Sequence, residues 1–211
     1  MNSTIMELID AHDILRPGRT NEKTLKHFLN SLKEFHCLAN CNTKQLQTFS
    51  SSVNNCLNSQ SQKDKYHGLC ALGLLLQQCS LDYIEQNIAS YINSVTNQVF
   101  KCQQMEPQTL IRGCQVMAKI IECAPTFPEV SRQLSSLATT LITCMSDKSI
   151  QNPDCAAGVF HCMSALMSNY PGACGAAPSN IKAIEAMLVR NMTQDDAILT
   201  KQVISFGIAI A

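Results

Sequence analysis

Cysteine and histidine are the residues of this sequence whose types and spacing could do chemistry, as metal ligands or as a thiol nucleophile with its base. His36, Cys37 and Cys41 are the first such group, with Cys37 and Cys41 one helical turn apart if a helix runs through them. A structural zinc site needs four convergent ligands, and no CxxC pair or HxxxH partner completes this set. It reads as a packed helix end. His161 beside Cys162, and Cys174 within Gly172-Ala173-Cys174-Gly175, are the second and third. Neighbours on a helix project about 100° apart, so His161 is badly placed to deprotonate Cys162, and no acidic residue orients it. These thiols read as small apolar side chains rather than nucleophiles.

The wider search for chemistry is no richer. The sequence contains no phosphate-binding glycine loop, no dinucleotide fingerprint, no HExxH and no GxSxG elbow, and its acidic residues are scattered rather than paired. No catalytic residue, metal ligand or cofactor is expected, and the chain is not read as an enzyme. Arg16, Arg19, Lys23 and Lys26 are the local basic group, diluted by Glu22 and without interleaved aromatics for base stacking, so they read as a solvated loop and helix start. Leu72-Gly73-Leu74-Leu75-Leu76 fits an LxxLL pattern that places Leu72, Leu75 and Leu76 on one helical face, able to enter a partner's groove. The same three leucines also belong to a repeated apolar stripe, and a side chain committed to a core cannot fill a groove elsewhere.

That stripe comes from the elements that must carry these residues. Apolar positions recur at helical spacing nearly throughout, giving helices over roughly 3–15, 20–37, 41–58, 62–79, 81–103, 107–124, 127–146, 153–169, 178–192 and 194 to the end. Pro107 and Pro153 sit where a first helical turn tolerates the missing N–H, so each opens a helix. No segment alternates as a strand does. Gly68, Gly113 and Gly158 stand 45 residues apart, and positions one, four, seven and eight after each glycine are apolar. They read Leu69, Leu72, Leu75, Leu76; then Cys114, Met117, Ile120, Ile121; then Val159, Cys162, Ala165, Leu166. One buried face returning at that period is the signature of armadillo or HEAT units, so the expected fold is an all-α helical-repeat solenoid of about ten helices. A glycine within each helix suggests close approach of a neighbour where no Cβ intervenes.

Composition agrees with this class. The 211 residues carry 16 basic and 16 acidic side chains, so no net field draws the chain to nucleic acid or anionic lipid. No sequence-specific nucleic-acid binding is expected. No apolar run approaches the ~20 residues of a membrane span, and no signal region follows Met1, so a soluble intracellular protein with its 12 cysteines reduced is expected. One helical-repeat domain over 1–211 is expected, with 1–58, richer in Ser, Asn, Thr and Gln, as an atypical capping unit and 59–211 as regular repeats. Val203 to Ala211 forms an apolar end with no cap, which is read as truncation within a longer repeat protein. Such an edge would favour self-association.

The segments Tyr66-His67-Gly68-Leu69-Cys70-Ala71-Leu72-Gly73-Leu74-Leu75 and Tyr170-Pro171-Gly172-Ala173-Cys174-Gly175 resemble the proline-, glutamic acid- and leucine-rich (PELP) protein family. The similarity runs from about residue 63 to the end, while 1–62 match less clearly, and the family's Pro- and Glu-rich tail is not part of this sequence. The resemblance implies an armadillo-like, pre-rRNA-processing domain: a non-enzymatic scaffold for large ribosomal subunit maturation in the nucleolus and nucleoplasm, with some cytoplasmic presence. It implies a WD-repeat partner, a second helical-repeat protein, a SUMO protease, a nuclease complex and an AAA ATPase, and a homodimer. It also implies coregulation of nuclear receptors through LxxLL, here Leu72, Leu75 and Leu76. The alternative from the repeats alone is an armadillo adaptor gripping extended peptides, which predicts a row of exposed Asn or Trp along one groove; the chain has no Trp, which counts against it.

Overall fold

The computed structural model describes residues 15–18, 21–34, 36–102, 105–123, 130–146, 152–170, 178–192 and 196–210. Among them the chain is all-α, with no strand. The helices are α1 (Glu22–Glu34), α2 (Thr43–Leu57), α3 (Gln62–Gln78), α4 (Leu81–Val95), α5 (Pro107–Cys123), α6 (Ser131–Ser146), α7 (Pro153–Asn169), α8 (Pro178–Met192) and α9 (Ala197–Ile210). The helix expected over 3–15 lies outside the described residues, apart from Leu15. The chain divides into two compact units, Met1–Gln86 and Asn87–Ala211, with the boundary inside α4.

Local chemistry starts these helices where the sequence supplies caps. Asn42 accepts the Gln45 N–H at 3.0 Å while Gln45 Oε1 accepts the Asn42 N–H at 3.0 Å, a reciprocal capping box for α2. Ser61 caps α3, accepting the Asp64 N–H at 3.3 Å. Pro107 and Pro153 each occupy the first helical position, as expected, and Asn152 caps α7 by accepting the Asp154 N–H at 2.8 Å. Asp196 does the same for α9, taking the Leu199 N–H at 2.8 Å.

Two expected helices turn out to be interrupted. The one expected over 20–37 stops at Glu34, and a 3₁₀ turn covers Cys37–Asn40. His36 introduces that turn in the left-handed region, φ 47°, where a non-glycine residue costs about 1–2 kcal/mol. The helix expected over 81–103 is α-helical to Val95 and then widens into a π turn over Thr96–Phe100, closed by the Lys101 N–H donating to Thr96 O at 3.1 Å.

In the first unit α3 packs against both α1 and α2 and is buried on nearly every side. A Cβ on Gly68 would stand 3.0 Å from Cys56 Cβ and 3.2 Å from Leu57 Cδ2, so the missing side chain is what lets α2 and α3 approach this closely. In the second unit α5 packs on α7 and α7 on α9, while α6 and α8 pack on each other and against that row. Helices two apart in sequence thus lie side by side, which is how a helical repeat stacks. Phe160 of α7 meets Phe206 of α9 with ring centroids 5.6 Å apart.

The repeated stripe is the core. Of its twelve positions, all but Ala165 are buried. A Cβ on Gly113 would fall 2.7 Å from Val99 Cγ1, so this glycine receives the π turn. Gly158 faces Cys114 at an ordinary 3.4 Å and does not need to be glycine for space. The close approach inferred from the repeat therefore holds at two of the three glycines.

Candidate partner-binding surface

The thiols are placed where they are weakest as nucleophiles. Burial, and then the Asp64 charge, push the Cys56 thiol up to about 12. Burial and then Cys41 push Cys79 up to about 12. Cys114 and Cys162 are raised as well, burial again being the main cause. A thiol held protonated attacks slowly. Cys162 is fully buried while His161 points to solvent, so the pair does not form a dyad. Cys174 lies outside the described residues.

His36 is exposed, Cys37 is buried, and the Cys41 thiol donates to Cys37 O at 3.2 Å. No group of three or more His, Cys, Asp or Glu side chains suited to a metal ion occurs among the described residues. Arg16, Lys23 and Lys26 are exposed, and Arg19 lies outside the described residues. The Lys63–Glu22 ion pair nearby, 3.6 Å long with both ends solvated, adds little stability.

Leu72, Leu75 and Leu76 are 0%, 0% and 4% exposed. They lie inside the first unit, on the helix that α1 and α2 cover. Presenting them to a partner would expose three leucines at about 1.5–3 kcal/mol each, so the LxxLL segment is closed to a groove in this conformation.

Two buried polar networks carry no signal in the hydrophobic pattern. Gln78, at the end of α3, donates from Nε2 to Leu32 O at 2.9 Å and accepts the Leu38 N–H on Oε1 at 3.2 Å. It thereby joins the end of α1 to the 3₁₀ turn. Asp64 is buried and takes two donors on Oδ2, the Gly18 N–H at 3.0 Å and the Ser59 hydroxyl at 2.9 Å. The Ser61-x-x-Asp64 spacing is a capping-box signal that would have found Asp64, although its carboxylate turns to other partners.

His67 is buried beside this network, and its Nδ1 takes no hydrogen bond among the described residues. Burial, helped by Lys63, lowers its pKa below the usual 6.5, with Asp64 and Glu22 opposing. A depressed histidine stabilises the fold fully above pH 6.5, and the contribution falls as the unfolded chain takes up the proton first. Urea midpoints should therefore drop from pH 7.5 to 5.5, and more steeply for the wild type than for His67→Gln. Equal slopes would show that His67 does not titrate this way.

The described surface is apolar where the second unit ends. Along α9, Leu199, Val203 and Phe206 are buried, while Ile198 and Ile204 stand 61% and 53% exposed. Val189 of α8 is 67% exposed. Asp196, Ala197, Thr200, Lys201, Ile204 and Ser205 line an open groove of about 480 Å³. With Ile204 and Ala197 between Asp196 and Lys201, this groove has the make-up of a protein contact, an aliphatic anchor with a polar rim. No described helix is long and apolar enough to cross a membrane.

Stacked helices, protonated thiols and solvated apolar side chains define a helical-repeat protein whose visible site is a surface. A family model described as RIX1, rRNA processing/ribosome biogenesis, matches residues 11–196. The chain belongs to that family. Proline-, glutamic acid- and leucine-rich protein 1 of Mus musculus is 27% identical over 120 residues, which cover 54% of this chain and 10% of the mouse protein. The resemblance read from Tyr66–Leu75 and Tyr170–Gly175 is thereby borne out, and a role in rRNA processing and ribosome biogenesis follows from the family.

Proposed function

We propose that this chain is a non-enzymatic scaffold of a nuclear and nucleolar complex that matures the large ribosomal subunit. The family match over residues 11–196 is the observation that carries the reading. The described surface supports it, since Ile198 and Ile204 of α9 stand open to solvent at or beside an open groove, and the Cys56 and Cys162 thiols are held protonated by burial. A WD-repeat protein is the occupant we assign there, because a broad, rigid partner suits a shallow surface better than a short peptide does. Other assembly factors, an AAA ATPase and a SUMO protease among them, would join through the same complex.

Ile198→Asp together with Ile204→Asp tests the surface. Placing charges at the centre of an aliphatic contact should cost at least about 2 kcal/mol, roughly a 30-fold loss of affinity for the WD-repeat partner, with the helical circular-dichroism signal retained. Retained affinity would remove this surface from the interface. If the doubly substituted chain instead changed from dimer to monomer by sedimentation, the occupant would be a second copy. A receptor-coregulator role through Leu72, Leu75 and Leu76 would first have to open the first unit, and it is the weaker reading.

A further inference from the structure

We propose that the exposed face of α1 is a sequence-independent seat for single-stranded RNA, with Lys23, Lys26 and Lys33 meeting phosphates and Tyr66 of α3 offering its ring to a base. The inference rests on the family's part in rRNA processing and not on the surface around Ile198 and Ile204, which belongs to the other unit. Charge is uneven along this neutral chain. Residues 16–65 hold eight of its 16 Lys and Arg side chains and three acidic ones. Two of those acids are already engaged: Glu22 pairs with Lys63 at 3.6 Å, and Asp64 is buried, with Oδ2 accepting the Gly18 N–H and the Ser59 hydroxyl.

Helix geometry gathers the lysines. Because α1 buries Leu25, Phe28 and Leu32, its opposite side carries Lys23, Lys26, Asn30 and Lys33, all exposed and within an arc of about 80°. From Lys23 to Lys33 that row is about 15 Å long. None of the three lysines has a carboxylate partner among the described residues. Lys23 also stands in the first turn, where the helix dipole disfavours a cation and a bound anion relieves the conflict. Glu22 shares the edge of α1 that carries Lys26 and Lys33, so its bond to Lys63 brings the start of α3 to that edge. Tyr66, the next turn of α3 after Lys63, is 36% exposed. The aromatic that the basic group lacks in sequence is thus supplied by a neighbouring helix. A row of cations with a ring beside it suits a nucleic-acid strand, whose bases all have a face to stack, whereas an acidic peptide would use the charges alone.

Fluorescence anisotropy of a fluorescein-labelled oligouridylate with the whole chain, and no other protein present, tests this. Three phosphate contacts on a single strand predict a roughly 20-fold loss of affinity between 50 and 200 mM salt. Lys23→Gln, Lys26→Gln and Lys33→Gln together should weaken binding at 50 mM salt roughly 10-fold or more and flatten the salt dependence, with the helical circular-dichroism signal retained. Tyr66→Ala should weaken it roughly 5-fold and leave the salt slope unchanged, the signature of a stacked base. Poly-glutamate at equal charge should compete roughly 10-fold less well than unlabelled RNA. Ile198→Asp with Ile204→Asp should bind the RNA as the wild type does, so either surface can fail without the other. A wild-type chain that binds no RNA, a triple variant with wild-type affinity and slope, or Tyr66→Ala with wild-type affinity would overturn the proposal. Poly-glutamate competing as well as RNA would overturn it in favour of an acidic protein.

Discussion

Leu75→Ala is expected to lower the unfolding free energy of the chain by about 3 kcal/mol, within the 2–5 kcal/mol typical of emptying a buried leucine site. Leu75 is fully buried on the helix that α1 and α2 enclose, so the lost methyl groups leave a cavity rather than solvent-filled surface. The result separates two readings of the LxxLL segment. If Leu75 were a docking side chain, its loss would weaken a receptor contact and leave the urea midpoint within about 0.5 kcal/mol of wild type, as surface substitutions do. A midpoint shift with an unchanged denaturant slope identifies it as core.

Gln78→Leu should cost a similar amount, about 2–4 kcal/mol, although leucine is apolar and close in volume. The substitution leaves the Leu38 N–H and the Leu32 carbonyl without their side-chain partner, in a place that water does not reach easily. Each stranded group costs about 1–3 kcal/mol. Leu32 lies in the last turn of α1, where carbonyls have no intrahelical donor and depend on such a partner. Urea unfolding of the variant measures the loss. A neutral result would mean that backbone rearrangement at His36 supplies new partners.

Much of the helical framework was legible because periodicity and caps act locally. The α7 and α8 boundaries fall where Asn152-Pro153 and the spacing to Met192 place them, and all but Ala165 of the twelve stripe positions are buried. The interruptions were not legible. The break before Cys37 depends on His36 adopting a left-handed conformation that its residue type does not demand, and the π turn at Thr96–Phe100 depends on Val99 meeting Gly113 from another helix. Both are tertiary decisions.

The same division holds for the surface. The leucines singled out by motif went to the core, because Leu72, Leu75 and Leu76 share the face that packing needs. Ile198 and Ile204 looked like ordinary members of an apolar helix, and only the placement of Leu199, Val203 and Phe206 against the unit shows which side is left to solvent. Asp64 is flagged by its local spacing to Ser61, but its bond to Gly18, 46 positions away, and those of Gln78 to Leu38 and Leu32, 40 and 46 positions away, span separations no local pattern encodes.

The scaffold claim is tested most directly by sedimenting the tagged chain with purified precursors of the large ribosomal subunit on a sucrose gradient. The wild-type chain is expected to travel with the precursor peak, and the chain carrying Ile198→Asp with Ile204→Asp to stay at the top of the gradient. A folded wild-type chain that stays at the top, with the precursors intact, would contradict it.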